Sequence, residues 1–381
     1  MIFMETEVFI TRIAKYLPTL VDNDHMEDYL GKIGGKSSRV KSIILKQNGI
    51  KTRYYALNKK QEITHTDAEM AAFAINNLFD DEIGLKDLEF LTCGTSGPDQ
   101  LLPSHTVMVH GLLKNKPIEI MSPSGICASG VHAIKIAYMS IKSGNSKNAV
   151  CSGSELASGT LLSKNYDEEY DLLMKVEEKP MIAFEKDFLR FMLSDGAGAM
   201  LLENKKRGNI SLKIEWIETI SYANEESVCM YMGAEKRTDG ELKSWKQFSS
   251  QEWLDKSIFV VKQDIRLLEK KGIELWVRHL KDCFTKHKIN IKTDINYFLP
   301  HLSSMIFKEK MRKKMEEENI AISINKWFIN LPEVGNVGSA SIYLALEELF
   351  HSNNLKKGEK IILAVPESGR FSYATVMLTV V

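Results

Sequence analysis

Three residues have types and settings that could do chemistry: Cys127 as a nucleophile, His301 as a proton donor or acceptor, and Asn336 as a hydrogen-bond donor. Cys127 follows a short extended run, Pro117 to Met121, and the small-residue stretch Ser122-Pro123-Ser124-Gly125-Ile126. A helical pattern begins at the cysteine and continues to about Ile141. Unpaired N–H groups and the positive end of the helix dipole at such a start favour a thiolate nucleophile. The competing reading is a small buried hydrophobe, the commonest fate of a free cysteine. His301 stands after Pro300 at the end of an apolar run, where a structural histidine is equally at home. Asn336 lies between Gly335 and Gly338, in a small-residue turn that opens a second helix.

Other motifs carry less chemistry. Gly31-Lys32-Ile33-Gly34-Gly35-Lys36-Ser37 is one residue short of a phosphate loop and follows a helical pattern instead of a strand, so it reads as a basic surface loop. His105 and His110 share a helix, but no third ligand is in view and no metal site is expected. Asp195-Gly196-Ala197-Gly198-Ala199 lacks the third glycine of a dinucleotide fingerprint, and a strand pattern follows it where a helix should stand.

The elements that must position these residues alternate between the two periodicities. Strands are expected at Val8–Ile13, Leu88–Cys93, Asn148–Glu155, 196–202, Ile210–Ile220, Asn296–Leu299, Glu359–Val365 and Phe371–Val380. Helices are expected at Thr66–Leu78, 104–113, 127–141, 251–288, Met305–Glu318 and from Asn336 onward, with Asp22, Asn23 and Asp24 capping a short early one. Residues 164–190 look like an acidic insertion, and residues 222–250 are irregular and rich in Met and Lys.

The 50 basic and 50 acidic residues cancel, which argues against nucleic acid as a partner. The 5 cysteines form no CxxC pair and fit reduced thiols in a cytoplasmic protein. No apolar run approaches the ~18 residues of a membrane span, and no secretory signal is visible. The chain of 381 residues is long enough for a duplicated unit. One is suggested by an internal echo. The series Cys127, helix, loop, strand, insertion, strand is matched by Asn336, helix, loop, strand, strand. Halves of 1–205 and 206–381, packed about a pseudo-twofold axis, would bring both helix starts to one centre.

In combination these pieces resemble the thiolase superfamily, and within it the ketoacyl synthase III type of condensing enzyme. Gly125-Ile126-Cys127-Ala128-Ser129-Gly130 is similar to that family's nucleophile segment, and Pro300-His301 to its histidine loop, with Leu-Ser-Ser in place of Gln-Ala-Asn. Gly335-Asn336-Val337-Gly338-Ser339-Ala340-Ser341 resembles its asparagine motif. Gly49-Ile50-Lys51-Thr52-Arg53 and Ser194-Asp195-Gly196-Ala197-Gly198-Ala199 match two further segments. The resemblance covers nearly the whole chain. It implies an α/β, duplicated αβαβα five-layer fold, a homodimer and a pantetheine tunnel. It also implies catalysis by Cys127, His301 and Asn336, with an oxyanion hole from the N–H groups of Cys127 and Gly369. Arg53 would lie near the carrier-binding face. No cofactor is implied beyond pantetheine-linked substrates, carried by acyl carrier protein or CoA.

Asn48 to Leu57, Ser96 to Gly111 and Phe184 to Gly196 resemble the ketosynthases of bacterial dialkylresorcinol and flexirubin-type pigment pathways. That resemblance implies joining an acyl group on Cys127 to a β-ketoacyl thioester and closing a cyclohexanedione ring. The alternatives are a decarboxylating initiation synthase that uses malonyl carrier protein, and a simple acyltransferase. A non-catalytic partner subunit would normally lack the cysteine.

Overall fold

The computed structural model describes residues 6–175 and 187–381. Part of the acidic stretch 164–190, and the first residues of the Phe184–Gly196 segment, lie outside the described residues.

The chain builds one mixed sheet from nine strands. These are β1 (Phe9–Tyr16), β2 (Phe90–Gly94), β3 (Glu119–Met121), β4 (Asn148–Glu155), β5 (Gly196–Glu203), β6 (Leu212–Ser221), β7 (Tyr297–Pro300), β8 (Lys360–Glu367) and β9 (Ser372–Val380). Across the sheet they run β7-β8-β9-β6-β1-β5-β4-β2-β3. The order repeats from the centre outward. β1 pairs antiparallel with β5, β5 antiparallel with β4, and β4 parallel with β2. In the second half β6 pairs antiparallel with β9, β9 antiparallel with β8, and β8 parallel with β7. Even the outermost parallel strand β3 has a counterpart, a single parallel bridge between Phe298 and Trp327. The halves join where Phe9 and Ile10 pair with Lys213 and Leu212.

Six helices layer this sheet: α1 (Asp67–Asn76), α2 (His105–Leu113), α3 (Ala128–Lys142), α4 (Ile273–Lys286), α5 (Ile306–Glu317) and α6 (Ser341–Phe350). α1 and α2 cover the outer face of the first half. α4, backed by α5, packs on β9. α3 and α6 lie between the halves and touch strands of both. The sequence cause is alternation with both faces apolar, as strands buried on two sides require. Val150, Ala199 and Leu201 face the α1 side, while Ala149, Cys151, Met200 and Leu202 face the central helices. Ile361, Leu363 and Val365 face inward too, and Ile362 and Ala364 join the α4 side. α3 can occupy the central layer because Val131, Ala133, Ile134, Ala137 and Ile141 are all fully buried.

Two expectations need correction. The region 251–288 is not one helix. It forms a turn of helix at Ser250–Asp255, a two-residue strand at Lys262–Gln263, and a helical stretch from Ile265 that ends as α4. The break falls at Ser257, whose φ is +44°, and at the β-prone run Ile258 to Val261. Asp264 then restarts the helix by accepting from the Leu267 N–H at 3.0 Å. The early helix Met26–Leu30 is likewise not capped by Asp22, Asn23 or Asp24; its N-cap is His25, without a side-chain cap. Asp22 instead closes a turn ahead of it, accepting from the N–H groups of Asp24 and His25. No helix of the described residues is long and apolar enough to cross a membrane.

Candidate active site

β3 ends at Met121, and the loop after it is held by a parallel bridge between Ser124 and Thr95. The chain then enters α3 with Cys127 at the N-cap. In the second half Asn336 sits in the turn before α6. Its own N–H donates to Met192 O at 3.2 Å, and its carbonyl accepts from Ser194 N–H at 2.9 Å. The side-chain Oδ1 accepts from Gly338 N–H at 3.0 Å. That leaves the amide Nδ2 as the group free to donate into the cavity that Asn336 lines.

The two helix starts approach closely because glycine lines the contact. A Cβ on Gly130 would lie 2.2 Å from the Ser339 carbonyl oxygen, and one on Gly153 would lie 2.5 Å from the same atom. The Tyr343 hydroxyl donates to Gly130 O at 2.8 Å and ties α6 to α3. Glu155 braces the asparagine turn. Its Oε1 accepts from Ser339 N–H at 3.0 Å, and its Oε2 accepts from the Ser96 hydroxyl at 2.5 Å. Burial and the Asp67 charge push the Glu155 carboxyl up to about 7.

His301 follows β7 directly. Its N–H donates to Ala364 O at 2.9 Å, extending the β7–β8 ladder by one residue. The side chain is buried, and its Nε2 has no hydrogen-bond partner among the described residues. Burial alone holds its pKa down at about 4, so the imidazole is neutral at physiological pH. A neutral imidazole offers one donor and one acceptor.

Cys127, His301 and Asn336 meet in one cavity of about 440 Å³. The structure therefore brings together the three residues that the sequence separates by more than 200 positions. Its wall is largely apolar and includes Met230, Met232, Leu242, Val261, Leu268 and Trp276. The irregular region 222–250 and the broken helical region supply one side of that wall, and residues such as Leu156, Met192, Leu302 and Phe307 supply the rest.

The expectation of a ready thiolate at Cys127 does not hold. Burial raises its pKa, and the charges of Glu155 and Glu367 raise it further, so the thiol is protonated at rest. Burial is the main reason the helix dipole does not prevail, and Glu155 and then Glu367 add to it. The Glu367 Oε2 accepts from Ile126 N–H at 2.8 Å and from Ala128 N–H at 3.2 Å, on either side of the cysteine. A carboxylate on the helix start counters the dipole locally.

Sequence reasoning read Pro366-Glu367-Ser368-Gly369-Arg370 only as a turn and missed Glu367. The available signal was a carboxylate in a turn that resembles a glycine-rich one. Gly369 packs on Ile126, since a Cβ there would lie 3.0 Å from Ile126 Cδ1. Its carbonyl accepts from Cys229 N–H at 2.8 Å, and its neighbours Ser368 and Phe371 line the cavity. Phe371 has φ of +56°, a left-handed conformation that is unusual for a bulky residue.

Arg53 is corrected outright. It is fully buried, and desolvation lowers its pKa. Its guanidinium donates to Asn23 Oδ1 at 2.9 Å and to Phe191 O at 3.1 Å, and it also touches the Met26 sulfur. A side chain so enclosed cannot meet a carrier at the surface; it braces the loops under Gly335. Among the described residues no cluster of three or more His, Cys, Asp or Glu could hold a metal ion.

Comparison with known proteins finds matches in both halves. Residues 120–208, which contain Cys127, match the family "Beta-ketoacyl synthase, N-terminal domain". Residues 286–379, which contain His301 and Asn336, match "3-Oxoacyl-[acyl-carrier-protein (ACP)] synthase III C terminal". The chain is 25% identical over 367 residues to the beta-ketoacyl-[acyl-carrier-protein] synthase III of Clostridioides difficile (strain 630), covering 94% of both chains. It is also 25% identical to the enzyme of the same name from Clostridium beijerinckii, covering 98% of this chain and 99% of that one. Among solved structures, the tetronic acid condensing enzyme AbyA1 superposes with a TM-score of 0.76 at 17% identity, covering 98% of this chain and 99% of that one. Xanthomonas campestris OleA with bound lauric acid and lauroyl-CoA gives 0.75 at 18%, covering 99% of this chain and 100% of that one.

Proposed function

We propose that this chain, which is similar to ketoacyl synthase III condensing enzymes, is a carbon–carbon bond-forming acyltransferase that joins an acyl group on Cys127 to a β-ketoacyl thioester. Ring closure then gives a cyclohexanedione, the precursor of a dialkylresorcinol, by a second C–C bond in which a donor carbanion adds to the β-carbon of a 2,3-unsaturated acyl group and its C=C π bond is the bond broken. The observation that carries this reading is the apolar cavity of about 440 Å³ in which Cys127, His301 and Asn336 meet, walled by segments of both halves. Such a wall suits two alkyl chains better than an acetyl starter. The X. campestris OleA structure with lauric acid and lauroyl-CoA is support from a similar fold for long-chain substrates.

In the first half-reaction the Cys127 sulfur attacks the acyl thioester. The new C–S bond forms as the old one breaks, and the carrier thiol leaves with the cysteine's proton. The N–H groups of Cys127 and Gly369 stabilise the tetrahedral oxyanion, each such donor being worth about 3–4 kcal/mol. In the second, the β-ketoacyl donor becomes an enolate at its α-carbon. His301 and the Asn336 amide donate to the enolate oxygen. The enolate attacks the acyl carbon, a C–C bond forms, and Cys127 departs as thiolate. Acyl carrier protein or CoA delivers the substrates, and the chain works as a homodimer in the cytoplasm.

The names of the curated relatives favour a second reading, decarboxylating condensation with a malonyl donor. Intact-mass spectrometry separates the two. The protein takes up one acyl group from an acyl thioester, and Cys127→Ala takes up none. A β-ketoacyl thioester then discharges the adduct into a cyclic product. Discharge by malonyl thioester alone, with release of carbon dioxide, contradicts the proposal.

A further inference from the structure

A malonyl donor makes its own carbanion by losing carbon dioxide, whereas a β-ketoacyl donor must give a proton to something. Resting on the β-ketoacyl reading above, we propose that Glu367 is the base that takes the donor's α-proton and returns it to the Cys127 sulfur.

Four groups in the cavity could accept a proton: Cys127, Glu155, His301 and Glu367. Cys127 is acylated at that moment. Glu155 has both oxygens engaged, one by the Ser339 N–H and the other by the Ser96 hydroxyl, and is spent on holding the asparagine turn. His301 is needed as a donor to the enolate oxygen, and burial makes its ring a weak base.

Glu367 is held without being used up. Its Oε2 is fixed by the Ile126 and Ala128 N–H groups at 2.8 and 3.2 Å. Among the described residues its Oε1 accepts no hydrogen bond, and it lies on the side of the Gly369 turn, 3.6 Å from where a Cβ on that glycine would stand. The carboxylate is part-buried, lines the cavity, and spans the residue that carries the acyl group.

The protons and electrons balance without a further reactant. The donor's α-C–H bond breaks, its proton goes to Glu367 Oε1, and the electron pair spreads onto the thioester and keto oxygens. The enolate forms the C–C bond as the Cys127 C–S bond breaks. The departing thiolate sits among the groups that raise its proton affinity. It takes the proton from Glu367, which restores both side chains.

The test uses Cys127→Ala protein, which cannot be acylated, with a β-ketoacyl thioester in deuterium oxide. Exchange at the donor's α-carbon is followed by mass spectrometry. We expect exchange above the enzyme-free rate, and a fall of about 10²-fold or more when Glu367→Gln is added, the usual range for losing a general base. Glutamine keeps an oxygen for the Ile126 and Ala128 N–H groups, so the helix start stays capped. Glu367→Asp, which keeps a carboxylate one carbon shorter, should recover part of the exchange. Exchange undiminished by Glu367→Gln overturns the role of Glu367 and leaves the β-ketoacyl reading standing. Absence of any enzyme-dependent exchange, with carbon dioxide released from malonyl thioester, overturns that reading and the base role with it.

Discussion

Adding a single methyl group at Gly153 should separate the two half-reactions. The Gly153 Cβ would lie 2.5 Å from the Ser339 carbonyl oxygen and 2.9 Å from its carbon. Carbon and oxygen in close but tolerable contact stand about 3.3 Å apart. The turn between Asn336 and α6 must therefore retreat by something near 1 Å, because a backbone carbonyl cannot rotate aside as a side chain can. The Ser339 N–H bond to Glu155 and the Ser339 hydroxyl bond to Ser154 O, both 3.0 Å, move with it. Overpacking of this kind costs about 1–3 kcal/mol, so Gly153→Ala should fold with a lowered Tm. A misplacement near 1 Å at a positioned group costs roughly 10²-fold in rate. That loss should fall on condensation, the step in which we propose that the Asn336 amide acts. Cys127 lies on the other helix start, and acyl uptake should stay within a few-fold of normal. Intact-mass spectrometry reads the uptake, and product formation from pre-acylated protein reads the condensation. Equal losses in both steps, or full condensation with an unchanged Tm, would refute the argument that glycine sets the position of Asn336.

Further expectations follow from the same geometry. His301→Ala and Asn336→Ala should each cut condensation about 10²–10³-fold, the cost of one oxyanion donor, while the acyl-Cys127 adduct still forms; loss of the adduct in either variant counts against the division of labour. Cys127 should react with iodoacetamide at least tenfold more slowly at pH 8 than a free thiol, because burial and the Glu155 and Glu367 charges raise its pKa; trypsin digestion and mass mapping give the rate. Asp67 is fully buried and its carboxyl is pushed up to about 8, chiefly by desolvation. Between about pH 4 and pH 8 the folded chain keeps a proton that the unfolded chain has released, so this group's contribution to stability falls as pH rises, by up to about 1.4 kcal/mol per unit. Asp67→Asn should flatten that part of the stability–pH curve in urea melts, and an unchanged slope would show that Asp67 is already ionised in the fold.

Much of this arrangement was readable before any coordinates, and the reasons differ by residue. Strand alternation at 148–155 and 359–365 betrayed both faces of the sheet, since each strand is buried on two sides. The echo between the Cys127 and Asn336 segments survives low identity because both need small residues before a buried helix. The repeated strand order follows the same echo. Other features depend on contacts between distant residues, which local pattern does not encode. Arg53 occupies a position that resembles a surface motif, yet its partners Asn23 and Phe191 enclose it. Glu367 stands 240 positions after Cys127 and, with burial and Glu155, opposes the thiolate that the helix start alone would favour. The helix expected over 251–288 failed for a local reason: charge periodicity hid the β-prone run from Ile258 to Val261, whose last residue lines the cavity.

The central claim concerns which second substrate attacks the acyl group on Cys127. Acyl-loaded protein offered equal amounts of a β-ketoacyl and a malonyl thioester answers it in one mass spectrum of the products. The account expects a cyclohexanedione that carries both alkyl chains, formed without carbon dioxide from the malonyl donor. A linear β-ketoacyl thioester extended by two carbons, with an equivalent of carbon dioxide released, would contradict it.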